Sequence, residues 1–244
     1  MVSEFGERDI FSANELFDFW HLNDGMSNRA TGHWRIHQLT KQGMLQEIKS
    51  GWYTMKVKPL FNPLPDKQQL MIEKIIQQNY GQITYCTWNV NWLNEFSVHQ
   101  FPLDNPVIEV EKELLESLKG RLEDNGFIDL GWQVGPHSAK LREIKNAIYI
   151  LPLPSRAPLR RQAHELFDLR IPTIEKVLVD FFTGSDIFLH LNGSELLHAF
   201  SHAVEHYAIN YSTLFAYANR RYKNTDIKTF LETYFPHLYT LIFS

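Results

Sequence analysis

Gly32 to Lys56 reads GHWRIHQLTKQGMLQEIKSGWYTMK. Its first half has a helical period. Gly32, Ile36, Leu39 and Gly43 fall on one face, while Asn28, Thr31, Arg35, Gln38 and Gln42 form a wholly polar one. Gly43 suits the left-handed position that ends a helix. Two short stretches follow, LQEI and WYTMKV, joined by KSG, and together they predict a β-hairpin. Upstream, Ser12 and Glu15 match a capping box heading a helix over residues 13–21. Asn23-Asp24-Gly25 is a turn, and Ser27 can cap a second helix running to Gln42. Helix, turn, helix and basic hairpin is the order of a winged helix-turn-helix, with the second helix for the major groove and the hairpin as wing.

Charge supports that reading locally rather than globally. The chain of 244 residues carries a formal net charge of −4. Residues 1–25 hold one base and six acids, whereas residues 26–60 hold six bases and one acid. A stripe of one sign matters more to a polyanion than the total does. A groove-entering helix needs polar or planar side chains at its start, and Asn28, Arg29, Thr31, His33 and Arg35 fit. A wing needs a cation at its tip, and Lys49 beside Gly51 fits. A solvated helix with an ordinary hairpin, or a protein-binding winged helix, would share this pattern.

The totals bound the rest. At 44% hydrophobic and 21% charged residues the composition is that of a folded protein, not a disordered one. No window approaches the roughly 18 consecutive apolar residues of a membrane span. The acidic start MVSEFGERD does not read as a signal peptide, and Cys86 is the single cysteine. A reducing compartment fits, and the expectation is a cytoplasmic protein.

PLFNPLP, residues 59–65, holds three prolines and marks a stiff boundary between a winged helix over 1–58 and a second domain over 66–244. Beyond it, helices alternate with strands. A helix over 66–79 precedes QITYCTW, a short helix at NWLNEF precedes VIEVEK, a charged helix from Glu113 to Asp124 precedes FIDLGW, and another short helix precedes AIYILPL. That predicts an α/β layer with a mixed sheet. After Pro158 the chain reads as helical, a cap over about residues 169–244. The expected class is therefore α+β: a winged helix-turn-helix, then an α/β domain with a C-terminal helical cap.

Catalytic patterns are weak. In EVEKE, Glu109 and Glu111 share a strand face while Lys112 points away, the wrong spacing for a restriction-type nuclease; a strand running into a charged helix explains it as well. The pairs Gly184-Ser185 and Gly193-Ser194 lack the two carboxylates that a nucleotidyltransferase places about ten residues on, and read as loop turn and helix cap. His198, His202 and His206 sit four apart on one helix, a metal-ligand spacing without a partner motif. Glu175, Asp180, Arg220 and Arg221 flank apolar helices, where Asp180 or Glu175 can pair with Arg220, or the group can meet a partner.

WRIHQLTKQGMLQEIKSGWYTM is similar to the N-terminal winged helix of the antitoxins of AbiE-type (type IV) toxin–antitoxin systems, through Trp34, Ile36, Leu39, Gly43, Leu45, Ile48, Gly51 and Tyr53 in order. YCTWNVNWLNEFSVHQ, VIEVEK, LPSRAP, IPTIEKVLVDFF and AINYSTLFAYANRR look like blocks of a bacterial branch of that group. The resemblance implies a repressor that binds inverted repeats upstream of its own operon and counters a nucleotidyltransferase-like toxin. Carried over, the DNA-contacting positions are Asn28, Arg29, Thr31, His33, Arg35 and Gln38, with Lys49 and Lys56 on the wing. No catalytic residue, cofactor or metal comes with it. The stretch before Ser12 is short, so the first helix of the winged helix is expected to be abbreviated.

The reading is a cytoplasmic, non-enzymatic antitoxin and autoregulator. Its partners are double-stranded operator DNA, bound by two copies on a repeat, and a toxin. Its rival is a nuclease or nucleotidyltransferase with a divergent metal site in the central domain, delivered to DNA by the winged helix. A protein-binding adaptor is the third reading.

Overall fold

The computed structural model describes residues 1–98, 104–128, 130–132, 147–165, 167–183 and 193–243. The architecture is α+β, with small sheets and a helical C-terminal region. The chain forms two compact units, Met1–Phe61 with Val204–Ser244, and Asn62–Ala203.

The first unit opens with α1 (Val2–Phe5), a four-residue helix as short as the sequence suggests. Next come β1 (Phe11–Ser12), α2 (Ala13–Asp24), α3 (Arg29–Lys41), β2 (Gln46–Lys49) and β3 (Trp52–Thr54). The strands form an antiparallel sheet in the order β1-β3-β2. The capping box at α2 is present in full: Ser12 Oγ accepts from Glu15 N, and the Glu15 carboxylate accepts from Ser12 N. Gly25, at φ 65°, takes the left-handed turn that ends α2. The cap of α3 is Asn28, one residue after the serine the sequence suggested; its Oδ1 accepts from Ala30 N at 2.8 Å.

The core here gathers Phe5, Phe11, Leu16, Phe17, Trp20, Ile36 and Leu45. Gly32 sets the closeness of α2 and α3. A Cβ at Gly32 would lie 2.5 Å from two carbons of the Phe17 ring and 3.2 Å from Met26 Cε.

The C-terminal helices α8 (Tyr211–Arg220), α9 (Asn224–Tyr234) and α10 (Pro236–Phe243) belong to this unit, not to the α/β domain to which the sequence assigned them. Helix α8 packs on β2, Ala208 N donates to Pro59 O, and Lys58 Nζ donates to Val204 O. The boundary falls inside α7 (Ser194–His206), after Ala203.

The second unit is built on a four-stranded mixed sheet in the order β4-β5-β7-β6: β4 (Tyr85–Asn89), β5 (Pro106–Val110), β6 (Leu130–Trp132) and β7 (Ile148–Pro152). The pair β4–β5 is antiparallel, while β7 runs parallel to both β5 and β6. Helices α4 (Lys67–Asn79) and α5 (Leu115–Asp124) cover one face, where Ile72, Ile76, Leu118 and Leu122 meet Ile108, Val110, Ile148 and Ile150. Every residue of β4 and β5 is buried, so both faces are covered.

Each face holds a buried acid. On the α4 face, Glu73 accepts from Tyr85 Oη and Thr87 Oγ1, both at 2.7 Å. Burial raises its pKa against those hydrogen bonds. On the other face, Lys176 of α6 (Ile174–Asp180) donates to Glu109 Oε1 at 2.6 Å and to Asp180 Oδ2 at 2.8 Å, and Trp88 Nε1 donates to the same Glu109 oxygen at 2.9 Å.

After Pro158 the sequence predicted helix. Instead β8 (Leu159–Gln162) and β9 (Leu169–Pro172) pair antiparallel before α6 begins. The short helix expected before AIYILPL and the pair Gly184-Ser185 lie outside the described residues.

Gly32→Ala is expected to destabilise the protein. Overpacking costs about 1–3 kcal/mol, more than the ~1 kcal/mol that alanine gains over glycine within a helix. Urea denaturation of the single variant and of Phe17→Leu/Gly32→Ala should show partial recovery in the double. Lys176→Met should cost roughly 3–5 kcal/mol, because it removes the ammonium shared by two buried carboxylates, and adding Glu109→Gln with Asp180→Asn should restore most of that.

Candidate nucleic-acid interface

Helix α3 presents two unlike faces. Gly32 and Ile36 are buried against α2, while Asn28, Arg29, Thr31, His33, Trp34 and His37 are exposed. The helix contains three cations and no acid. Thirteen residues make a rod of about 20 Å, long enough to follow a groove across several base steps.

The planar groups on α3 are steered by aromatic rings beneath them. The Arg29 guanidinium lies 5.8 Å from the Phe17 ring centre, and the His33 ring meets Phe17 edge-on at 5.0 Å. Arg35 lies 5.6 Å from the Trp20 ring centre, and its Nη1 donates to Asp24 Oδ2 at 2.5 Å. That pair is part-exposed and offsets some of the helix's charge. Gln38 is half-buried on the same helix.

The wing differs from its expected role. Lys49 does not stand free at the hairpin tip. Its Nζ donates to Ile242 O at 2.8 Å and to Leu241 O at 3.5 Å, and lies 4.6 Å from the Trp52 ring centre. It thereby caps the carboxyl end of α10, where an ammonium meets unpaired carbonyls and the negative pole of the helix. At the turn itself, Ser50 N donates to Ser212 Oγ at 2.8 Å, and Gly51 takes the positive φ of 73°. Lys56 Nζ is exposed and donates to Asp9 Oδ1 at 2.8 Å, which holds the Asp9 carboxyl below its ordinary range.

The sequence named Trp34 only within the winged-helix pattern and not as a surface contact. At 62% exposed it is a large apolar group on the outer face of α3. Its signal was an aromatic residue out of phase with the buried positions 32 and 36.

The remaining candidates lie elsewhere. Glu175 is buried on α6, and Asp180 pairs with Lys176 there, while Arg220 belongs to the other unit. Arg220 is exposed and Arg221 half-buried at the end of α8. Glu109 faces α6, whereas Glu111 lies past the end of β5, exposed, and accepts from Thr84 N at 3.3 Å. His198 lies 3.3 Å from Phe96 O through Nδ1, and the His202 ring meets Phe96 edge-on at 6.0 Å. Among the described residues, no three His, Cys, Asp or Glu side chains are grouped to hold a metal ion, and no helix is long and apolar enough to cross a membrane.

A short helix, a strand, two helices meeting across a glycine turn and a two-stranded hairpin that takes up the first strand make a winged helix-turn-helix. The chain belongs to DUF6577, a family of unknown function, whose model matches residues 31–237. Comparison with curated proteins finds no match.

Lys49→Met tests what the wing lysine does. Loss of its charged hydrogen bonds to α10 should lower stability by about 1–2 kcal/mol in urea denaturation. Lys56→Met, whose ammonium is exposed on a surface pair, should change it by less than about 1 kcal/mol.

Proposed function

We propose that this protein is an operator-binding autoregulator that reads duplex DNA with the outer face of α3. The observation that carries the proposal is the division of α3 itself: an inner face locked onto Phe17, and an exposed, acid-free outer face with planar donors at its amino-terminal half. Arg29 and Arg35 supply charge and bidentate donors, Asn28 and Thr31 sit where phosphate or base edges would come, and Trp34 offers an apolar surface for a thymine methyl. Because Lys49 is taken up by α10, the contact rests on α3 more than on the wing. One such helix covers only a half-site, so two copies on an inverted repeat are part of the proposal.

Similarity of the winged-helix stretch and the later blocks to AbiE-type antitoxins extends this reading. On that basis the protein is a cytoplasmic antitoxin, itself without catalytic activity, that represses its own operon and counters a nucleotidyltransferase-like toxin.

The test is electrophoretic retardation of the DNA upstream of the protein's own gene. Arg29→Ala with Arg35→Ala should weaken binding by roughly 1–3 kcal/mol for each lost contact and flatten the salt dependence by about one unit per phosphate. Unchanged retardation at matched salt, with the double variant folded, would remove α3 from the contact.

A further inference from the structure

The hairpin β8–β9 sets two like charges side by side. Arg161 and Arg170 are direct partners in its antiparallel register, so their side chains leave the same face. Like charges directly opposite each other destabilise a sheet. The two arginines line one cavity of about 420 Å³, at the small end of the range of about 300–1,000 Å³ for ligand pockets. It opens where the end of α4, the start of β4 and the hairpin meet, and Tyr80, Phe167 and Asp168 line it too.

The two arginines are held differently. Arg170 Nη1 donates to Ile83 O at 2.6 Å, and its guanidinium lies 5.1 Å from the Tyr85 ring centre. Its backbone N donates to Glu73 Oε1 at 3.3 Å, so the buried Glu73 network fixes both Arg170 and Tyr85 at the cavity wall. This guanidinium is pre-aimed, with Nε and Nη2 making no hydrogen bond among the described residues. Arg161 is exposed and makes no hydrogen bond, ion pair or ring contact among the described residues. Among the described lining residues Asp168 alone is acidic, and it makes no ion pair with Arg161; a bound anion would offset the repulsion there.

The other walls say what else the anion carries. Tyr80 and Phe167 are half-buried rings with the size and shape to stack on a planar group. Asp168 and the carboxyl end of α4 bring negative character, which suits a ligand whose far end donates N–H groups.

We propose that this cavity binds a purine nucleoside monophosphate, with the phosphate on Arg161 and Arg170, the base against Tyr80 or Phe167, and an exocyclic amine toward Asp168. The site lies in the second unit, goes beyond the operator reading and does not rest on it.

Isothermal titration of the full chain with adenosine 5′-monophosphate, adenosine and inorganic phosphate tests the assignment. The monophosphate should bind more tightly than either half. Arg161→Ala should weaken it roughly tenfold or more, the worth of one charge-assisted hydrogen bond. Asp168→Ala should weaken the monophosphate relative to inorganic phosphate, since it removes the acceptor for the amine but no contact to the phosphate. Without ligand, Arg161→Ala should melt no lower than the wild type, since the substitution relieves a like-charge contact. No heat with the monophosphate up to about 1 mM overturns the proposal. So does equal affinity for adenosine or for phosphate alone, binding insensitive to Arg161→Ala, or a lower melting temperature of that variant without ligand. Retardation of DNA in the absence of nucleotide should be the same for Arg161→Ala and wild type, which separates this site from the α3 surface.

Discussion

One missing methyl group governs how the first unit is put together. Because Gly32 has no Cβ, α3 lies directly on the Phe17 ring, and no other residue fits without moving one or the other. Phe17 is also the ring beside which Arg29 and His33 are placed. The aromatic that anchors the inner face of the helix therefore sets where the outer-face cations point. Stability and display rest on the same contact, so a change that loosened the core would also blur the charge pattern on the surface. Trp20 repeats the arrangement one turn away, beneath Arg35.

The second unit handles buried charge in two ways on the two faces of one sheet. Glu109 is met by an ammonium and an indole, and Asp180 shares that ammonium. Glu73 has only neutral donors, and burial raises its pKa. Such groups add little net stability compared with apolar packing, but they penalise wrong arrangements strongly. A one-residue slip of β4 against β5 would turn Thr87 and Tyr85 away from Glu73 and the Trp88 indole away from Glu109. The polar pairs thus fix a register that uniform burial of both strands leaves open.

How much of this was legible beforehand follows the range of the interactions. The capping box at Ser12, the glycine turns and the 3.6-residue period of α3 are local, and the structure keeps them within a few residues. Helix α4 and strands β4, β5 and β7 also lie where alternation put them. The hairpin β8–β9 was invisible because each strand has four residues and carries three arginines between them, without an apolar run. The C-terminal segment read only as a helical cap, which does not say what its helices pack against. The candidate surface on α3 was legible for the same local reasons. The engagement of Lys49 was not, since its carbonyl partners lie 192 and 193 residues further on. The cavity between β8–β9 and α4 was equally hidden, because the facing of Arg161 and Arg170 exists only once the hairpin forms.

The union of Met1–Phe61 with the segment from Val204 onward has a consequence for biosynthesis. A ribosome delivers the chain from one end, and segments tend to fold as they emerge. The aromatic core around Phe17 draws only on early residues and can assemble at once. The sheet beside it must wait with part of β2 uncovered until the whole intervening unit has been made and α8 and α10 arrive. A message cut short within the second unit would yield a trihelical fragment with its strands bare, open to proteases and to edge pairing. Full-length translation is thereby built into the maturation of the amino-terminal module.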